Sequence, residues 1–287
     1  MITVARAIQR RQYLEDQLAA LEHGTRGLAL SSGMAAIHTA LAIFKAGDHI
    51  IVGDQIYGGT FRLLNQFFER WGLSATPVDT RDPAAIERAI QPNTKAVYFE
   101  PVTNPLLQVT SIAAVAKVAK KHDLLTIVDN TFLSPYLCQP LPLGADIVIH
   151  SATKYLAGHS DVSAGAVITN DEKLGDRLYF VQNALGAVLS PEDSNLVRAA
   201  ADLSVRMDRQ QANVKAIIAH LQPLPAVKKS IIPVCSASQA MKRSAARPRV
   251  RAACFRSSWL TMWTQLSSLI RCSCFNWQSA RLSGKSG

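Results

Sequence analysis

From Pro223 to Gly287 the chain contains no aspartate and no glutamate, although it holds 11 of the 31 Lys and Arg residues. All 21 acidic residues lie before Pro223, where 20 basic residues leave the segment close to neutral. A net charge of +10 would ordinarily suggest a polyanion partner. Here it comes from one end of the chain, and no aromatic or groove-reading motif accompanies it, so nucleic-acid binding is not expected. Cysteine is scarce as well. Five residues, with no paired spacing apart from Cys272 and Cys274, form neither a disulfide framework nor a zinc-ligand set. No apolar run approaches the roughly 20 residues of a membrane span, and the N-terminus lacks the apolar core of a secretory signal, so a cytoplasmic protein without a membrane partner is expected. Internal repeats and low-complexity segments are also missing.

What is present is an alternation of helical and strand patterns between Tyr13 and about Gln222. It marks a mostly parallel sheet covered by helices. Leu14, Leu18 and Leu21 fall at helical spacing, with Gly24 expected to close that helix in the left-handed conformation. Ser32 should cap the next helix, and Asp82-Pro83 should open another. Strands are expected over His49–Val52, Lys95–Glu100, Leu124–Asn130, Asp146–Ser151 and Ala164–Thr169, with a helix over Ile112–Lys121 and a long helical run from Pro191 to Leu221. The uninterrupted apolar strings Thr126-Ile127-Val128 and Ile147-Val148-Ile149 imply that both faces of the sheet are covered. Ligands of such sheets sit at the carboxyl ends of the strands.

At those ends stand Asp129-Asn130-Thr131 and His150-Ser151-Ala152-Thr153-Lys154-Tyr155. A buried lysine can lose its proton and condense with an aldehyde, because desolvation disfavours the ammonium form. A carboxylate can keep a pyridinium nitrogen protonated, so that the ring withdraws electrons. Ser151 and Thr153 offer hydroxyls to a phosphate ester, and Ser31-Ser32-Gly33-Met34 opens a helix whose free N–H groups favour the same anion. Together these residues describe a site for pyridoxal 5'-phosphate (PLP). Each is also compatible with a plain structural role, Asp129 and Ser32 as helix caps and Lys154 as a solvated side chain.

Five separated strings occur in the order found in the Cys/Met-metabolism group of PLP enzymes. They are Ser32-Gly33-Met34-Ala35-Ala36, Asp54-Gln55-Ile56-Tyr57-Gly58-Gly59-Thr60, Thr103-Asn104-Pro105-Leu106, Val128-Asp129-Asn130-Thr131-Phe132, and Ser151 through Tyr155 followed by Gly158-His159-Ser160-Asp161. The chain resembles that group from about Gln12 to Leu221. The resemblance implies the type I PLP-transferase fold, an α/β architecture whose small C-terminal domain is missing or scrambled in this sequence. It implies that Lys154 holds the cofactor and moves protons, and that Asp129 pairs with the pyridine nitrogen. Gly33, Met34, Ser151 and Thr153 would hold the phosphate, Tyr57 would stack on the ring and assist proton transfer, and Asn104 would contact the ring hydroxyl.

The implied substrates are cystathionine or related sulfur amino acids, with lyase chemistry favoured by Tyr57-Gly58-Gly59-Thr60 and by Gln182 through Leu189. Cystathionine γ-synthase or O-acylhomoserine sulfhydrylase chemistry is the near alternative. An inactive PLP-binding remnant is another. Methionine γ-lyase is less similar, since a cysteine stands there in place of Gly59. Intact members are implied to be homotetramers.

Two regions depart from the group. Residues 1–11 lack the arm whose Tyr and Arg reach the phosphate in a neighbouring subunit, and residues 223–287 lack the arginine expected to bind the substrate carboxylate. Reading the codons one base earlier permits the group's motifs at both places. The expected organisation is therefore an aberrant arm over 1–11, a PLP-binding domain over 12–222 and a basic out-of-frame tail over 223–287, with little turnover by the chain as written.

Overall fold

The computed structural model describes residues 2–197 and 202–224. In chain order the elements are α1 (Ile2–Glu22), β1 (Arg26–Leu30), α2 (Gly33–Leu41), β2 (His49–Gly53), α3 (Gly58–Arg62), β3 (Ser74–Val78), α4 (Pro83–Ala89), β4 (Thr94–Phe99), α5 (Ile112–Lys121), β5 (Leu125–Asp129), α6 (Ser134–Leu137), β6 (Ile147–His150), β7 (Gly165–Thr169), α7 (Glu172–Leu185), α8 (Pro191–Leu196) and α9 (Leu203–Leu221). The seven strands form one sheet in the order β1-β7-β6-β5-β4-β2-β3. Pairings from β3 across to β6 are parallel, whereas β7 runs antiparallel to both β6 and β1. The sheet is thus mostly parallel but mixed at one side. The reason is the segment between β6 and β7, which contains no helix to carry the chain back over the sheet, so the strand returns in the opposite sense.

Both faces are covered, as the apolar runs require. Neighbouring residues of one strand go to opposite cores. Val128 and Val148 join one cluster with Leu14 and Leu18 of α1 and Val115 of α5. Ile127, Ile147 and Ile149 join the other with Ile37 and Leu41 of α2 and Leu174 and Leu178 of α7. Each such fully buried side chain contributes about 1.5–3 kcal/mol relative to an exposed one, which is why the strand-end loops are held on a stiff base.

Local chemistry sets the element ends. Ser32 accepts a hydrogen bond from the Ala35 N–H and Asp82 from the Ala84 N–H, with Pro83 in the first helical position, as their sequence contexts predict. The end of α1 differs from expectation. His23, with φ 59°, takes the left-handed conformation instead of Gly24. Gly24 is needed for a different reason: a Cβ there would lie 2.5 Å from the Ile168 side chain and 2.9 Å from the Thr169 carbonyl. The expected run from Pro191 to Leu221 is two helices, because Val197 is fully buried with ψ 58° and leaves the helical path. β1 and β3 carry signals too short or too irregular to be anticipated, and α7 was also not among the expected elements. β3, at the sheet edge, has no fully buried residue and contains Pro77.

The backbone of the expected aberrant arm, residues 1–11, is helical from Ile2 as part of α1. The tail from 225 onward, and with it the altered-frame expectation there, lies outside the described residues. Among those residues no helix is long and apolar enough to cross a membrane, and no cluster of His, Cys, Asp and Glu could hold a metal ion.

Candidate PLP site

The site begins where α2 meets the ends of β6 and β7. Ser32 uses its side chain and its carbonyl on the N–H groups of Ala35 and Ala36. Helix geometry then leaves the N–H groups of Gly33 and Met34 as the free donors of the first turn. Gly33 lies directly against Ser151, since a Cβ there would come within 2.6 Å of the Ser151 Cβ and Oγ. Gly165, at the start of β7, is equally tight, because its Cβ would overlap the Ser32 carbonyl. Only glycines permit this approach of three backbone segments. The product is a cradle of free N–H groups and one hydroxyl at the positive end of a helix, suited to a dianionic phosphate.

One strand away, Asp129 ends β5 with 6% of its surface exposed. Its Oδ2 accepts from the Tyr98 hydroxyl at 3.2 Å and its Oδ1 from the Thr131 N–H at 3.1 Å. The Thr131 hydroxyl oxygen in turn accepts the Ser151 N–H at 2.7 Å, so one threonine ties the acid to the phosphate side of the site. Burial, reinforced by the negative charges of Asp129 and Glu100, pushes the Tyr98 phenol well above its ordinary value, so it acts as a hydrogen-bond donor.

Glu100 follows β4 and is 8% exposed. Burial and the nearby Asp129 charge raise its carboxyl to about 8, against the opposing pull of backbone hydrogen bonds from Tyr57 and Asn104. The Tyr57 N–H reaches its Oε1 at 2.6 Å. Sequence reasoning missed Glu100, Tyr98 and the bridging role of Thr131. An acidic residue at the end of an apolar strand was the available signal for the first.

The remaining expected residues are placed as follows. Lys154 lies three residues beyond Ser151, its N–H donating to the Ser151 carbonyl at 3.1 Å. Its side chain is exposed, not buried as expected, because it leaves a turn at the open end of the strands. Thr153 is half-buried, and its hydroxyl donates to the Ala164 carbonyl at 3.1 Å while accepting the Ala164 N–H at 2.9 Å. That hydroxyl already braces the loop before β7, and a phosphate would have to compete for it. Tyr57 is 52% exposed just before α3, and Gly59 is pressed between its ring and the Met34 sulfur. Asn104 is exposed at the tip of a loop closed by the bridge between Val102 and Val109.

Beneath the site a second polar group is fully enclosed. His150 hydrogen-bonds through Nε2 to Glu22 Oε1 at 2.6 Å, and the Asn130 amide donates to the same oxygen at 3.0 Å and to the Cys138 carbonyl at 2.8 Å. His150 and Asn130 are the direct neighbours of Ser151 and Asp129, so α1 is anchored to both site strands from below.

Every string that carries the site falls in the segment matched by the Cys/Met metabolism PLP-dependent enzyme model, which covers residues 6–249. The chain belongs to this family. It is 50% identical over 224 residues to a cystathionine beta-lyase of Lactococcus lactis subsp. cremoris, covering 78% of this chain and 59% of the relative. It is 52% identical over 213 residues to a cystathionine gamma-synthase/O-acetylhomoserine (thiol)-lyase of Bacillus subtilis, covering 74% of this chain and 57% of the relative. A crystal structure of cystathionine gamma-lyase from Lactobacillus plantarum complexed with L-serine superposes with a TM-score of 0.75 at 52% identity, over 77% of this chain and 58% of that one. The α/β type I fold of the family is therefore the fold of this chain. The chain spans about three-fifths of the length of these family members.

Proposed function

We propose that the chain binds PLP at the ends of β5 and β6 and that its site is built for carbon–sulfur chemistry on cystathionine or a related amino acid. The observation that carries the proposal is the meeting of the Gly33–Ser151 cradle with the buried Asp129 carboxylate through Thr131. The residues fit the cofactor: an anion cradle at one end and a buried acid at the other match a phosphate and a ring nitrogen. Gly33, Met34 and Ser151 hold the phosphate, and Thr153 joins them when its O–H turns from the Ala164 carbonyl to the anion. Asp129 pairs with the pyridine nitrogen. Lys154 attaches the cofactor and is the base that takes and returns a proton at the substrate α-carbon, Tyr57 covers the ring, and Asn104 reaches the ring hydroxyl. Bound PLP supplies an electron sink that stabilises negative charge on that carbon.

Lyase chemistry is the first choice, and synthase or sulfhydrylase chemistry the second, because named relatives of comparable identity include both. The tight packing of Gly59 favours these over a methionine γ-lyase. A cysteine there would need Tyr57 or Met34 to shift. An amino acid as substrate agrees with the L-serine bound by the L. plantarum enzyme. We further propose the homotetramer of intact relatives as the assembly.

The decisive test is chemical trapping. Protein incubated with PLP and reduced with borohydride should carry a pyridoxyl group on Lys154, read by peptide mass. Labelling at another lysine, or none, overturns the assignment.

A further inference from the structure

We propose that Glu100 is a positioning residue, a single carboxyl clamp that fixes both the Tyr57 loop and the Asn104 loop at the edge of the site. The cofactor role of those loops rests on the function proposed above; the clamp rests on the hydrogen bond from the Tyr57 N–H to Glu100, with the Asn104 backbone acting on the same carboxyl. Glu100 is buried, and no cation pairs with it among the described residues. Its titratable neighbours are the Tyr98 phenol and the Asp129 carboxylate, one neutral and one of like charge.

An apolar side chain would occupy that place at lower cost, so stability does not explain the carboxyl. Its hydrogen bonds do. It accepts the Tyr57 N–H at 2.6 Å and is also hydrogen-bonded by the Asn104 backbone, two segments 47 positions apart in sequence. Neither Tyr57 nor Asn104 buries its own side chain. The amides, rather than side-chain packing at those residues, hold them in place.

The test compares the full chain with Glu100→Gln, Glu100→Ala and Glu100→Leu by amide hydrogen exchange and by PLP affinity. Glu100→Ala and Glu100→Leu should speed exchange at both the Tyr57 and the Asn104 amides by about tenfold or more, the loss expected for a buried acceptor. Glu100→Gln keeps an acceptor and should restore both to within about threefold. The Ala35 and Ala36 amides, bonded to Ser32, serve as the unaffected control. PLP affinity should fall about tenfold in the Ala and Leu variants and recover in Gln. Glu100→Leu fills the volume if Glu100→Ala does not fold. Unchanged exchange at either amide, or affinity unchanged while both amides loosen, overturns the proposal. Wild-type chain that takes up no PLP while both amides loosen in Glu100→Leu overturns the cofactor reading and leaves the clamp standing.

Discussion

At the scale of single residues, the site depends as much on missing side chains as on present ones. Gly33 has no Cβ, and that absence lets the first turn of α2 touch Ser151. Gly33→Ala should therefore push Ser151 and the helix apart and lower PLP affinity by at least about tenfold, equivalent to roughly 1.4 kcal/mol. Fluorescence titration with PLP checks this, and wild-type affinity in the variant would show that the cradle is not the phosphate site. The motif Ser32-Gly33-Met34 was legible from sequence as a helix start. That the glycine is required by Ser151, 118 positions later in the chain, was not.

At the scale of elements, the short helix and strand ends are locked together from beneath. Glu22, the last residue of α1, holds His150 at the end of β6 and Asn130 beyond β5. Glu22→Ala removes one acceptor and leaves two buried donors facing a void. A loss of about 2–6 kcal/mol follows, since each buried donor without a partner costs about 1–3 kcal/mol. Urea denaturation reads it directly. A loss under 0.5 kcal/mol would mean that water or repacking replaces the carboxylate. Helices with conventional caps, such as those begun by Ser32 and Asp82, could be anticipated because the capping bond spans two or three residues. α7 was missed although Asp171 caps it and Gly186, with φ 67°, ends it. The split between α8 and α9 depends on burial of Val197, which no local pattern announces.

At the scale of the whole molecule, burial of acids sets a pH dependence. Glu100 is raised from about 4.5 to about 8, and Glu15 and Asp146 are raised as well, each chiefly by burial. A carboxyl raised in the folded state binds its proton more tightly there than in the unfolded chain. Its stabilising share is complete below about pH 4.5 and is lost as the pH rises toward 8. The urea midpoint should accordingly fall between pH 5.5 and pH 8, and Glu100→Gln should flatten the fall. An equal fall in the variant would place the effect on other groups.

The sequence by itself determined five of the seven strands in their order along the chain, the covering of both sheet faces, the family and the identity of the cofactor lysine and acid as candidates. These follow from periodicity, apolar runs and motifs, all of which are local. Tertiary structure alone decided that β7 runs against its neighbours, that Thr131 joins Asp129 to Ser151, and that Glu100 grips two loops at once. Each of those depends on contacts between residues far apart in the chain. A buried carboxyl reveals its partners only when the fold brings their amides to it.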